Sequence, residues 1–271
     1  SAPASDRFYD DNVWLGIDFC DLYATTGDER YLESARMIWR FIESGMDDVL
    51  GGGIYWCEQK KHSKNTCSNA PGTVYALKLH AATKDPHYLE QGKALYAWTR
   101  ERLEDTTDGL YFDNVSLDGN ISRAKYAYNS GQMVQAGVLL YKATGDTKYM
   151  VEAARAARYT MNSMATDGVL NNEGTGDNAL FKGIFIRYAM NVWRDAEIDK
   201  VDATLRKEIE DFIIYNGLIC WTQGLDRSEE SKWFFGSDWT TPGSTWDGQL
   251  NPQVSATTLI EAMAVLLPEP K

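Results

Sequence analysis

The sequence predicts an all-α fold, a toroid of repeated helical hairpins forming one domain over residues 1–271. Three observations lead there. TGDERYL from Thr26, TKDPHYL from Thr83 and TGDTKYM from Thr144 share the pattern T-x-D-x-x-Y-[LM], recurring about every 60 residues. Apolar residues on both sides of each copy have helical spacing. The connections between hairpins are long and rich in Gly, Asn and Trp, which favours a toroid over the short-looped solenoid arrays.

Each copy reads as the turn of a hairpin. Gly27, Lys84 or Gly145 ends one helix, and the Asp that follows (Asp28, Asp85, Asp146) is placed to cap the next. In the first copy the apolar face continues through Ala35, Ile38, Trp39 and Ile42. The helices leading into the turns are expected over 13–23, 74–82 and 133–141. Three more, over 179–193, 203–217 and 254–267, bring the total to about nine. Strands are expected at most in GGGIYW (51–56) and GLYFDNV (109–115). No shift in composition marks a linker, hence the single domain.

A net charge of −12 argues against a phosphate backbone or an anionic membrane as partner. No stretch approaches ~18 uninterrupted apolar residues, so no membrane span is expected. Cys20, Cys57, Cys67 and Cys220 include no C-x-x-C pair, and the only histidines are His62, His80 and His87, which leaves little from which to build a metal site. Cys57 and Cys67 are ten residues apart and read equally as a disulfide or as free thiols. Aromatic residues make up 12% of the chain, and several fall in loops beside Asp, Asn and Gly, which suits a neutral, hydroxyl-rich ligand such as a sugar; most of the others belong to the core. Trp221, Trp233, Trp239 and Trp246 share one loop region that reads either as a sugar platform or as a plug.

Asp10 and Asp11 stand side by side where the first helical pattern begins. As structure, they are a helix cap and a favourable first-turn charge. As chemistry, they are the two carboxyl groups that glycoside hydrolysis requires: the helix terminus keeps one ionised while its like-charged neighbour holds its proton. Their company favours chemistry. Tyr55, Trp56, Lys64, Asn65, Ser68 and Asn69 precede one inner helix, Tyr128, Asn129, Ser130 and Gly131 the next, and Asp177 with Asn178 a third. In a ring of hairpins these entrances meet at one rim.

FYDDNVW, GGGIYW, KNTCSNAP, YNSG and GDNALFKGIFIRY, in that order, resemble glycoside hydrolase family 76, the endo-α-1,6-mannanases and related fungal cell-wall proteins. The resemblance implies an (α/α)6 toroid, no metal or cofactor, and a retaining mechanism with Asp10 as nucleophile and Asp11 as acid/base. It implies substrate contacts from Trp14, Tyr55, Trp56, Asn65, Asn69, Tyr128, Asn129 and Asp177. Ser130 replaces the longer amide of the family's usual YNQG, altering one sugar contact. A full ring of that kind has twelve helices against about nine expected here, so either its N-terminal helices lie outside this chain or the ring closes differently. The activity implied is endo-hydrolysis of α-1,6-mannan by a monomer that is secreted or held at the cell surface or in the periplasm. Transglycosylation of cell-wall mannan or a GPI glycan at the same site, and glycan binding without turnover, are the alternatives.

Overall fold

The T-x-D turns take the form their chemistry dictates. In each, the Thr hydroxyl donates to the carbonyl four residues back and accepts from the Asp N–H. Thr26, Thr83 and Thr144 donate to Leu22, Leu79 and Leu140, each at 2.7 Å, and accept from Asp28, Asp85 and Asp146 at 3.2, 3.1 and 3.2 Å. The Asp carboxylates then cap the following helices, accepting from the N–H of Arg30, His87 and Lys148 at 3.0, 2.9 and 3.1 Å. The residue between Thr and Asp is left-handed, with φ of 70° at Gly27, 60° at Lys84 and 73° at Gly145. Only at Lys84 does a side chain oppose that conformation. Lys84→Gly is expected to stabilise the fold by about 0.5–1 kcal/mol, read as a higher urea midpoint at unchanged slope.

A computed structural model describes residues 5–229, 232–243 and 249–267, leaving Trp246 outside the described residues. Among those residues, nine α-helices carry the fold: α1 (Tyr9–Thr26), α2 (Glu29–Glu43), α3 (Thr66–Thr83), α4 (Pro86–Leu103), α5 (Ala127–Thr144), α6 (Thr147–Ser163), α7 (Asn178–Trp193), α8 (Leu205–Ile219) and α9 (Asn251–Leu266). The all-α expectation holds. No helix among the described residues is long and apolar enough to cross a membrane.

Short antiparallel pairs fill the connections. β1 (Ser63–Asn65), β2 (Phe112–Ser116) and β3 (Ile121–Lys125) form one sheet, while β4 (Ala165–Thr166) pairs with β5 (Val169–Leu170) and β6 (Leu225–Glu229) with β7 (Lys232–Phe235). The strand expected over 51–56 does not form. Leu50, Gly51, Gly52 and Gly53 all have positive φ, which breaks the extended backbone before it starts. KNTCSNAP, read from sequence as lying ahead of a helix, instead runs from β1 into the first turns of α3, so Ser68 and Asn69 are helical.

The chain forms two compact units, residues 1–125 with 136–149, and residues 126–135 with 150–271. In the first, α1 packs on α2 and α3, and α3 on α4. α2 buries Leu32, Ala35, Ile38, Trp39 and Ile42 as one stripe, whereas α3 is buried continuously from Thr66 to Leu77. Gly16 permits the contact between α1 and α3, since a Cβ there would lie 2.1 Å from the Tyr75 ring. That ring is fixed by its hydroxyl, which donates to the Ala35 carbonyl, and by the edge of Trp39 at 5.2 Å. In the second unit α9 packs on α7 and α8, and the Ser255 hydroxyl accepts from the Gly183 N–H at 3.0 Å.

Three helical amide side chains fasten extended segments by their main chains. Asn69 Oδ1 accepts from the Ile54 N–H at 2.6 Å and its Nδ2 donates to the Ile54 carbonyl at 3.0 Å. Asn216 accepts from the Leu170 N–H and donates to the Gly168 carbonyl, both at 2.9 Å. Gln253 accepts from the Phe235 N–H at 2.9 Å and donates to its carbonyl at 2.5 Å. Each amide stands in for a neighbouring strand, supplying one donor and one acceptor to a backbone that would otherwise be unpaired.

Candidate active site

Asp10 lies on the second residue of α1, a helix whose N-cap is Phe8 and therefore has no side-chain cap. The capping account of Asp10 fails on that position. Its carboxylate is instead surrounded by donors. Oδ2 accepts from the Trp56 indole N–H at 3.0 Å and from the Cys67 thiol at 3.2 Å; Oδ1 accepts from the Asp11 backbone N–H at 3.0 Å. Trp56 reaches it because the 7–9 segment pairs with 56–58: Tyr9 N–H donates to the Trp56 carbonyl at 2.8 Å, and Glu58 N–H to the Arg7 carbonyl at 2.9 Å. Cys67 reaches it from the first turn of α3. Burial pushes the Asp10 carboxyl up to about 6, and the Asp11 charge works in the same direction, while the bonds from Cys67 and Trp56 restrain the rise.

Asp11, next in sequence, is exposed. Trp14 is half-buried and lies one helical turn further along α1, close to the face that carries both aspartates; its indole nitrogen is buried with no hydrogen-bond partner among the described residues. Trp56 is 40% exposed and leans on Phe8 with ring centroids 4.7 Å apart, so part of its indole remains open to a ligand.

The other expected contacts in this unit face inward. Tyr55 is buried, its hydroxyl donating to Asp47 Oδ2 at 2.8 Å, and burial together with that carboxylate pushes the phenol up to about 12. Asn69 has no exposed surface and its amide holds Ile54. Asn65 is buried and accepts from the Ser63 hydroxyl at 2.7 Å. Lys64, fully buried, donates to Asp47 Oδ1 at 2.8 Å, to the Val49 carbonyl at 2.9 Å and to the Gly52 carbonyl at 2.6 Å. Cys57 and Cys67, like Cys20 and Cys220, form no disulfide.

Tyr128, Asn129 and Asp177 belong to the second unit and have their own surroundings. Tyr128 is stacked on Phe181 at 4.0 Å with the rings 8° from parallel. Asn129 is fully buried, with neither end of its amide partnered among the described residues. Asp177 is exposed and accepts from Asn251 at 3.3 Å. Two groups there were invisible in the sequence. Glu173 accepts from the Ala127 N–H at 2.7 Å and burial pushes it up to about 7; Lys182 is buried over the Trp239 ring at 4.0 Å, and burial brings it down to about 8. No spacing rule pairs residues so far apart in sequence.

The chain contains two adjacent aspartate pairs, Asp10–Asp11 and Asp47–Asp48. They differ in kind. Asp47 is tied by Lys64 and Tyr55, and although burial acts against it, those bonds hold its carboxyl below the ordinary value. Asp10 has no cation among its partners and is shifted upward, with a second carboxyl exposed beside it. That arrangement, one fixed carboxylate and one accessible carboxyl at a helix entrance edged by an open indole, suits general acid/base and nucleophilic work on a neutral ligand.

Comparison with known proteins agrees with this chemistry. The profile of glycosyl hydrolase family 76 matches residues 1–270. An inactive variant of the α-1,6-mannanase GH76A of Salegentibacter sp. HEL1_6, with two consecutive aspartates replaced by alanine and α-1,6-mannotetrose bound, is similar with 35% identity and a TM-score of 0.87; the match covers 96% of this chain and 76% of that one. A family 76 mannosidase of Bacteroides thetaiotaomicron is 29% identical with a TM-score of 0.79, covering 97% and 72% of the two chains. Dfg5 of Chaetomium thermophilum, in complex with glucosamine, shares the fold at 17% identity with a TM-score of 0.80, covering 97% and 69%. No curated protein sequence matches.

Proposed function

The chain belongs to glycosyl hydrolase family 76, and from that premise we propose that it is an endo-acting α-1,6-mannan hydrolase using a retaining double displacement at Asp10 and Asp11. The observation that carries the reading is the environment of Asp10, held by donors from two elements distant in sequence, with exposed Asp11 beside it. Asp10 Oδ1 attacks the anomeric carbon while the Asp11 carboxyl gives its proton to the departing glycosidic oxygen. Water then attacks the mannosyl ester, its proton passing to the Asp11 carboxylate, and the Asp10 carboxylate is released. Trp56 and Trp14 offer aromatic faces to the sugar rings, while Asn65, Asn69 and Tyr55 hold the wall behind them. In the second unit, Tyr128, Asn129 and Asp177 are proposed as further sugar contacts. A polysaccharide substrate favours a monomer working outside the cytoplasm, secreted, at the cell surface or in the periplasm. The Salegentibacter mannanase supports both the linkage and the catalytic pair, since it loses activity with two consecutive aspartates replaced.

Unbranched α-1,6-mannan incubated with the chain is expected to give a ladder of oligosaccharides whose new reducing ends first appear in the α configuration by proton NMR. Initial β products would overturn retention, and release of mannose alone would overturn endo action. A sugar hydroxyl in place of water would give longer chains, which the same chromatogram separates from hydrolysis. Asp10 must be ionised to attack and Asp11 protonated to donate, so with the Asp10 carboxyl pushed up to about 6 by burial kcat/KM is expected to be bell-shaped in pH with one limb near 6. A profile with no limb that follows the Asp10 midpoint, read by carbon NMR on the same chain, would show that the attacking carboxylate is a different group.

A further inference from the structure

We infer that Cys67 is a positioning residue for Asp10: its thiol and the Trp56 indole together hold Oδ2, leaving Oδ1 to form the bond to the sugar. The inference deepens the retaining reading above and rests on it. Oδ2 receives two donors, from α3 at 3.2 Å and from the 54–57 segment at 3.0 Å, whereas among the described residues Oδ1 receives the adjacent backbone N–H alone, at 3.0 Å. With the Asp11 N–H on Oδ1, the two donors on Oδ2 hold the carboxylate against rotation about Cβ–Cγ by three bonds, and Cys67 supplies the one that comes from α3.

The frame behind both donors is rigid. Thr66, preceding Cys67, donates its hydroxyl to the Phe112 carbonyl at 2.6 Å, and Asn69, two residues on, holds Ile54 by its main chain. Cys67 itself is 3% exposed, so its thiol faces the carboxylate rather than solvent. The groups acting on Asp10 are Asp11 on its own helix, Trp56 on the neighbouring segment and Cys67 on α3. The Asp11 charge opposes ionisation; its backbone N–H and the other two favour it.

A thiol is a weaker donor than a hydroxyl, yet among the bonds to Asp10 the one from Cys67 opposes the burial-driven rise most, ahead of the Trp56 indole. A hydroxyl at the same place would bind more strongly and lower the basicity of the nucleophile.

The test titrates Asp10 by carbon NMR in the full chain labelled at aspartate carboxyls, in the wild type, Cys67→Ala and Cys67→Ser, each checked for folding by circular dichroism. Cys67→Ala is expected to raise the Asp10 midpoint by about 0.5–1 pH unit and Cys67→Ser to return it to the wild-type value or below. On α-1,6-mannan, Cys67→Ala is expected to lower kcat about 5- to 10-fold at unchanged KM, with the pH–rate limb near 6 following the NMR midpoint and Ser restoring most of the rate. An Asp10 midpoint that does not move in Cys67→Ala overturns the inference whatever the activity. A wild-type chain that releases nothing from mannan overturns the nucleophile assignment instead, and the two failures are read by separate measurements.

Discussion

Asp10→Asn is expected to lower kcat/KM on α-1,6-mannan by at least about 10^4-fold and, at the same time, to make the folded chain more stable at neutral pH. The first effect follows from removing the attacking oxygen. The second follows from proton linkage. The folded carboxyl titrates at about 6 against 3.8 for the ordinary group, so between those pH values the native state holds more protons than the unfolded chain. Stability therefore falls as pH rises through that window, by at most about 3 kcal/mol at pH 7. Asparagine removes the buried charge and retains an acceptor for Trp56 and Cys67. Its NH2 then faces the Asp11 N–H, which trims the gain to about 1–2 kcal/mol. Urea midpoints at pH 4 and pH 7 test this: the variant should gain on the wild type only at the higher pH. Asp11→Asn, at an exposed position, should lose hydrolysis with little change in stability. An Asp10→Asn chain that still hydrolyses mannan, or one less stable at pH 7, would contradict the account.

Lys64→Met is expected to cause the largest loss of stability, about 3 kcal/mol. The ammonium is fully buried, and it satisfies Asp47 together with two loop carbonyls, those of Val49 and Gly52. Methionine fills the volume but donates nothing, so both carbonyls lose their donor. Asp47 is 38% exposed and recovers some hydration, which keeps the loss at the lower end of what breaking a buried ion pair produces. The thermal midpoint should drop by roughly 6–12 °C. Activity should fall as well, because the loosened 47–56 segment carries Trp56. Lys64→Met with Asp47→Ala should recover part of the stability, since it removes both charges of the pair.

The hairpins were legible because their chemistry is local. A threonine, a residue able to adopt positive φ and an aspartate make the same turn wherever they occur, and the three copies superimpose in hydrogen-bond pattern as well as in sequence. The small sheets were only partly legible: GLYFDNV (109–115) was read as a strand and carries β2 (Phe112–Ser116), but strands of two to five residues carry too little alternation to stand out, and three glycines at 51–53 were read as extended when their φ values forbid it. In the candidate site the aspartate pair could be named from its dipeptide and surrounding motifs. What separates Asp10–Asp11 from Asp47–Asp48 is burial and the partner each finds, which only the packed chain reveals. Tyr55 and Asn69 carry sugar-binding chemistry by type, yet their polar atoms are engaged within the protein, whereas Asn65 commits its Oδ1 to the Ser63 hydroxyl. Cys67 sat inside a quoted motif, but nothing in a sequence says that a thiol will point at a carboxylate fifty-seven positions away.

The amides of Asn69, Asn216 and Gln253 grip Ile54, the Gly168–Leu170 turn and Phe235 through main-chain atoms alone. Such a socket is blind to the side chains it receives. The loops it seats can be rewritten, residue by residue or by wholesale grafting, and still arrive at the same place on an unaltered helical chassis. New specificities can then be explored on this scaffold without re-solving its folding problem, provided the three amides are retained.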